Sequence, residues 1–156
     1  AILVVDAYRK EEVLPLLTWR ANLYSDPQKP IQVESKVHEV GDVNADSPVY
    51  LTTNFSLTYY SVESEVEASK VPGYILPVNT DGTSVLTAWA AGKYEPEDIA
   101  KFIKECGIEE KVNHRNIIIP GQVAVISGRL QEASGWNVLV GPREAAGIPA
   151  FVKAHF

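Results

Sequence analysis

Short unbroken apolar runs alternate along this chain with stretches in which apolar residues recur at helical spacing. Ala1–Val5 (AILVV) stops at Asp6, as in a strand buried on both faces, and Glu11–Tyr24 follows with Val13, Leu16, Leu17, Trp19 and Leu23 at helical intervals. That is one strand and one helix, an incomplete unit. Ser25–Pro30 (SDPQKP) ends the helix, because a proline excludes the helical region for the residue before it, and the chain to Pro48 is polar and broken by Gly41, Asn44 and Asp46. We place a domain boundary in this stretch, between residues 1–45 and 46–156. Val49–Ser61, rich in Thr, Tyr and Val, fits one extended strand crossed by the polar patch Thr52-Thr53-Asn54.

Beyond it the alternation is regular. Strands are expected at Tyr74–Val78, Asn116–Ile119 and Trp136–Val140, each leading through a loop into a helical pattern. Pro96 fits a first helical position and Gly107 the position past a helix end, with Ile99, Phe102, Ile103 and Cys106 spaced i, i+3, i+4, i+7 between them. A further helix is expected from about Gln122 to Ser134, stopping at Gly135. The last spans about Ala145 to Ala154, with Pro149 near its first turn, where a missing amide costs least. This repetition predicts an α/β fold with a parallel sheet covered by helices.

Composition narrows the partners. At 156 residues and 46% apolar content, the chain can bury one core. A formal net charge of −6 repels phosphate backbones and anionic lipid heads, and Lys and Arg form no basic stripe, which argues against nucleic acid and membrane surface. The single cysteine, Cys106, excludes an intrachain disulfide or a cysteine-ligated cluster and reads as a small buried apolar group. No run approaches the length of a membrane span and no signal peptide opens the chain, so the cytoplasm is the expected address. The chain starts without Met inside an apolar run, so we expect a fragment of a longer polypeptide.

In an open α/β sheet the ligand crevice lies beyond the carboxyl ends of the strands. Three loops should converge there: Asn79–Ser84 (NTDGTS), Pro120–Gly128 (PGQVAVISG) and Val140–Pro149 (VGPREAAGIP). Each carries glycine and feeds a helix start whose amides are unpaired, and the small residues behind them suit close approach by a large, flat, mostly uncharged ligand. The same glycines also suit plain turns and helix packing, and the residue types leave both readings open. Val71–Tyr94 has the strand–turn–helix form of a nucleotide site but neither G-x-G-x-x-G nor G-K-[ST]. Asp81 beside Gly82 reads as a turn or cap residue, and Arg143 and Glu144 fit a polar rim or a mutual pair. His114 lacks a second His or Cys at ligand spacing and reads as structural, and His38 and His155 say less. No nucleophile–base set is legible, so no catalytic residue is assigned.

Four segments carry a resemblance: DPQKPIQVE (Asp26–Glu34), TTNFSLTYYSVESEVEAS (Thr52–Ser69), NTDGTSVLTAWAAGK (Asn79–Lys93) and SGWNVLVGPREAAGIPAF (Ser134–Phe151). Together they resemble the C-terminal part of the large subunit of the corrinoid iron–sulfur protein, the methyl carrier of the reductive acetyl-CoA pathway. The likeness implies that 46–156 is a Rossmann-like, cobalamin-type corrinoid-binding domain and that 1–45 is the terminal strand, helix and tail of a TIM barrel. The family's iron–sulfur cluster would belong to a preceding part of the polypeptide.

By the same resemblance a cobamide would be held by Thr52, Thr53, Asn54 and Ser56; by Thr80, Asp81, Gly82, Thr83 and Ser84; by Gly121, Gln122, Val123 and Ala124; and by Gly141, Pro142, Arg143, Glu144 and Ala145. Its cobalt would take a methyl group from methyltetrahydrofolate on a methyltransferase and pass it to acetyl-CoA synthase. The implied partners also include the small corrinoid-protein subunit and a reductive activator protein. Many cobalamin domains place a D-x-H-x-x-G histidine below cobalt, where this chain has Asn79-Thr80-Asp81-Gly82-Thr83. The departure implies base-off binding without a protein ligand to the metal. A flavin- or nucleotide-binding electron carrier and a non-catalytic subunit-interaction module are the alternatives.

Overall fold

The computed structural model describes residues 30–156, together with Val13 and Leu16, both helical. The chain divides into two units, Ala1–Ile31 and Gln32–Phe156. The strand expected at Ala1–Val5 and the rest of the helix expected over Glu11–Tyr24 lie outside the described residues.

The framework of the second unit is a five-stranded sheet of β1 (His38–Val40), β2 (Val49–Thr53), β3 (Gly73–Val78), β4 (Asn116–Ile119) and β5 (Asn137–Val140), in the order β1-β3-β2-β4-β5. Strands β2 to β5 are parallel, and β1 runs antiparallel along β3 with Glu39 opposite Tyr74. Connections therefore run outward from β2 to β3, then cross back and continue through β4 to β5. That is a doubly wound sheet whose winding reverses between β2 and β4. Five helices cover it: α1 (Ser56–Ser69), α2 (Val85–Ala90), α3 (Pro96–Glu105), α4 (Ser127–Ser134) and α5 (Ile148–His155).

Every residue of β2 and β3 is buried, which is why both read as continuous rather than alternating runs. Strand alternation then divides the core. Val49, Leu51, Leu76, Ile117 and Ile119 join Ile99, Ile103, Leu130 and Trp136 on one side, while Tyr50, Ile75 and Ile118 join Tyr59 and Val66 of α1 and Ile148 and Val152 of α5 on the other. Pro96 does open α3, and Gly107 follows its end at φ +80°.

Four expectations change. The strand read over Val49–Ser61 ends at Thr53, and α1 takes over at Ser56. Tyr59, Val66 and Ser69 are buried and Val62 half-buried at i, i+7, i+10 and i+3, so this face packs on the sheet and overrides the β-branched composition. The stretch read as linker contributes β1, an edge strand too short and too polar to show periodicity. The helix read over Gln122–Ser134 is a 3-10 turn, Gly121–Ile126, kinked at Val123 (φ −116°, ψ 30°), followed by α4. Similarly, Ala145–Gly147 forms a 3-10 turn before α5, which keeps Pro149 in its first turn.

Candidate functional site

A cavity of about 380 Å³ opens at the carboxyl ends of β2 and β4, where the winding reverses. Strand β2 registers with β3 from Val49↔Tyr74 to Thr53↔Val78, but with β4 only through Tyr50↔Ile118. Tyr50, Leu51 and Thr52 of β2 face Ile118, Ile119 and Pro120 across the opening. Leu57, Thr58, Ser61 and Val62 of α1 form one side, Ser84, Val85 and Leu86 the start of α2, and Pro142 to Ala145 with Ile148 the far wall. Gln122 completes the lining, whose charged side chains are Arg143 and Glu144. Leu57 and Leu86 stand exposed at the rim, and Val125 is exposed in the turn after β4.

Seven of the residues expected from sequence line this cavity: Thr52, Ser84, Gln122, Pro142, Arg143, Glu144 and Ala145. The others lie around it and build the loops. Asn54 is the hub of the β2 and β3 ends. Its amide oxygen accepts from the backbone N–H of Thr80 (2.9 Å) and of Gly82 (3.1 Å), and its nitrogen donates to Gln32 Oε1 and Asn79 Oδ1. Thr80 and Thr83 lock the same turn, with Thr83 Oγ1 donating to the Thr80 carbonyl at 2.7 Å. Asp81 and Gly82 both take left-handed conformations (φ +54° and +71°), the backbone a two-residue turn with an Asp-Gly tip requires. The Asp81 carboxylate is exposed and pairs with Lys93 at 2.8 Å.

Thr53 lies on the opposite side of β2 from Thr52, Ser56 is the buried first residue of α1, and Val123 is wholly buried in the core. Ala124 sits half-buried in the turn beside it. Gly121 and Gly141 hold the β4 and β5 loops together: a Cβ on Gly121 would come within 2.5 Å of the Gly141 carbonyl oxygen, and one on Gly141 within 2.8 Å of Ile118. The Gly121 amide donates to Pro142 O at 3.0 Å across that contact. The α1 side of the cavity is hidden in the sequence because Leu57–Ser61 has the composition of a strand. The signal that could reveal it is the spacing of Tyr59, Val62 and Val66, which turns Thr58 and Ser61 toward the same end.

His114 lies at the amino end of β4, away from the cavity at the carboxyl ends. Its Nδ1 accepts from the Asn116 amide, and Nε2 lies 3.0 Å from the Ser47 carbonyl, so both nitrogens are engaged. Among the described residues no three His, Cys, Asp or Glu side chains come together as a metal site. Cys106 is half-buried, and burial pushes its thiol up from the ordinary range. No helix among them is long and apolar enough to cross a membrane.

A mostly parallel α/β sheet with a largely apolar cavity at its reversal point has the arrangement at which ligands commonly sit in such folds. The chain belongs to the family described as CO dehydrogenase/acetyl-CoA synthase delta subunit, whose model matches residues 1–152. It is 57% identical over 155 residues to the corrinoid/iron-sulfur protein large subunit of Moorella thermoacetica, covering 99% of the chain and 35% of that protein. It is 46% identical over 151 residues to the acetyl-CoA decarbonylase/synthase complex subunit gamma of Methanothermobacter thermautotrophicus, covering 97% and 33%. With the gamma subunit of Archaeoglobus fulgidus it shares 37% over 155 residues, covering 99% and 33%. The chain thus spans about a third of the length of these relatives. The family description says delta where the relatives' names say large or gamma, and the 57% identity makes the large subunit the more specific guide.

Proposed function

We propose that this chain is the corrinoid-holding part of a methyl carrier in the acetyl-CoA pathway. The observation that carries the reading is the apolar cavity of about 380 Å³ at the reversal point of the sheet, within the roughly 300–1,000 Å³ usual for cofactor pockets. Its depth between α1, α5 and the sheet suits a flat heteroaromatic group, and the exposed Leu57 and Leu86 at its mouth suit the underside of a broad macrocycle. A bound cobamide would supply a cobalt centre able to accept and release a methyl group. The residues of this chain would bind the cofactor's tail, present its ring at the sheet edge and keep water from the buried part. The turn at Thr80–Ser84, held by Asn54, and the packed loops at Gly121–Ala124 and Gly141–Ala145 would fix the mouth in shape.

No histidine lines the cavity, and His114 lies at the other sheet edge. The cobamide would have no histidine of this domain on its cobalt, and in this reading it sits base-off, its own base lodged in the cavity. We assign 46–156 to a cobalamin-type corrinoid domain, which β1 at His38–Val40 joins as an edge strand, and the part of 1–45 before that strand to the end of a barrel. The iron–sulfur cluster would then belong to a preceding part of the polypeptide. The small subunit, a methyltetrahydrofolate methyltransferase, acetyl-CoA synthase and a reductive activator are the partners this reading assigns. Visible spectra after incubation with hydroxocobalamin and removal of free ligand test it. Retained corrinoid bands, with no axial-nitrogen splitting in the electron paramagnetic resonance of the reduced Co(II) form, are expected. Failure to retain corrinoid would overturn the cofactor, and nitrogen splitting would overturn the base-off state.

A further inference from the structure

Asp81-Gly82 is the sole Asp-Gly pair in the chain, and no Asn-Gly occurs. In such a pair the glycine nitrogen can attack the aspartate Cγ and close a succinimide ring, because glycine puts no side chain in the way. The fold holds this reactive pair in a geometry that blocks the attack. Both residues have positive φ, and the Thr83 amide donates to the Thr80 carbonyl at 3.2 Å, so Thr80–Thr83 is a type I′ turn. The first central residue of that turn has ψ of about +30°, which sets Asp81 Cβ and the Gly82 nitrogen nearly opposite each other about the Cα–C bond. Ring closure needs the two eclipsed, so the peptide between Asp81 and Gly82 must first turn over. Turning it over produces the type II′ form, in which glycine and not aspartate is favoured at the first central position. It also carries the Gly82 N–H away from Asn54 Oδ1, which accepts it at 3.1 Å in a buried place. The Asp81 carboxylate itself is exposed to solvent and tethered by Lys93 at 2.8 Å.

We propose that Asp81 is a latent isoaspartate site that Asn54 keeps closed, modified only in molecules whose turn has flipped. In the first step the Gly82 N–Cγ bond forms as a Cγ–O bond breaks, and that oxygen leaves as water with the Gly82 amide proton. Water then breaks the bond between the Gly82 nitrogen and the main-chain carbonyl carbon of Asp81, which becomes the free carboxylate. Nothing is oxidised or reduced, and the water lost is regained. The product has one more carbon in the main chain between the Thr80 and Gly82 amides, which share the Asn54 oxygen. The lengthened turn leads directly into Ser84 and Val85 of the cavity lining, so the modification deforms the mouth.

Incubation of the whole polypeptide at neutral pH, folded or in urea, tests the assignment. After trypsin digestion, electron-transfer fragmentation of the peptide Val71–Lys93 distinguishes isoaspartate from aspartate. Isoaspartate should accumulate in urea, and the folded wild type should form it more slowly by at least the factor by which folding slows hydrogen exchange of the Gly82 amide, since both reactions need that amide to leave Asn54. Folded Asn54→Leu, which removes the acceptor, should form it about tenfold faster than folded wild type. Asp81→Glu, whose longer side chain closes such a ring far less readily, should abolish it. Equal rates in folded and urea-treated wild type, or a slowing smaller than that of Gly82 exchange, would overturn the proposal. So would a folded Asn54→Leu variant that ages at the wild-type rate; if that variant does not fold, the comparison with Gly82 exchange in wild type decides alone.

Discussion

The side chain of Asn54 uses its oxygen on the turn after β3 and its nitrogen on Asn79 and Gln32, and no sequence pattern marks such a role. In sequence it is one polar residue in TTNFS; in the fold it stands in for a strand partner, receiving the Thr80 and Gly82 amides beyond the last pair of β2 and β3. Asn54→Leu leaves both amides unpaired in a buried place and should cost about 2–4 kcal/mol, read as a lower urea midpoint at unchanged slope. An unchanged midpoint would mean the turn holds itself. Gly82 is the other sensitive residue. Its φ of +71° is open to glycine and strained for a β-branched side chain, so Gly82→Val should lose about 1–3 kcal/mol. Corrinoid retention by the folded variant should fall with it. Equal retention would separate the turn from the site.

Helices and loops differ in how far the chain announces them. Strands β3 and β4 are legible because burial on both faces writes a continuous apolar run, β5 because it keeps a Val-Leu-Val run although it is half-exposed at the sheet edge, and α3 because proline, glycine and an i, i+3, i+4, i+7 row agree. Strand β1 is not, since three residues reading His-Glu-Val carry no period; only pairing with Tyr74 defines them. The start of α1 reads as strand because Thr, Tyr and Val favour strands in isolation, and packing decides otherwise. The glycines stand out in the sequence, but their two uses look alike there. Gly121→Ala sets a Cβ against backbone and should destabilise by about 1–3 kcal/mol, whereas Gly128, with open space around its Cβ in α4, should gain about 0.5–1 kcal/mol as alanine. Thermal unfolding of both variants checks the contrast, and similar shifts would refute it. Between α3 and α4, Arg129 bonds Glu97 at 2.9 Å and holds that carboxyl below its ordinary value of 4.5. A lowered folded value gives stability present above that pH and lost as pH falls through the folded value. The melting curves of wild type and Glu97→Gln should therefore differ at pH 6 and converge toward pH 3. A gap that persists at pH 3 would assign the effect to something other than the ion pair.

At the scale of the whole described unit, two cores lie on either side of one sheet, and the cavity at the strand ends touches both, Leu51, Val85 and Ile119 from one and Tyr50, Ile118 and Ile148 from the other. The reversal of winding that makes room for it also leaves the sheet unevenly sewn: five residue pairs join β2 to β3 and four join β4 to β5, but Tyr50 and Ile118 alone register β2 with β4. Such a sheet has a seam. Native-state amide exchange should find the β4 and β5 amides opening at lower free energy than those of β2 and β3, because parting along the seam breaks few backbone bonds. Uniform protection across all four strands would show the helices alone make the unit cooperative. A ligand lodged between the two halves would bridge them, so its arrival should slow exchange in β4 and β5 most and turn two loosely joined plates into one.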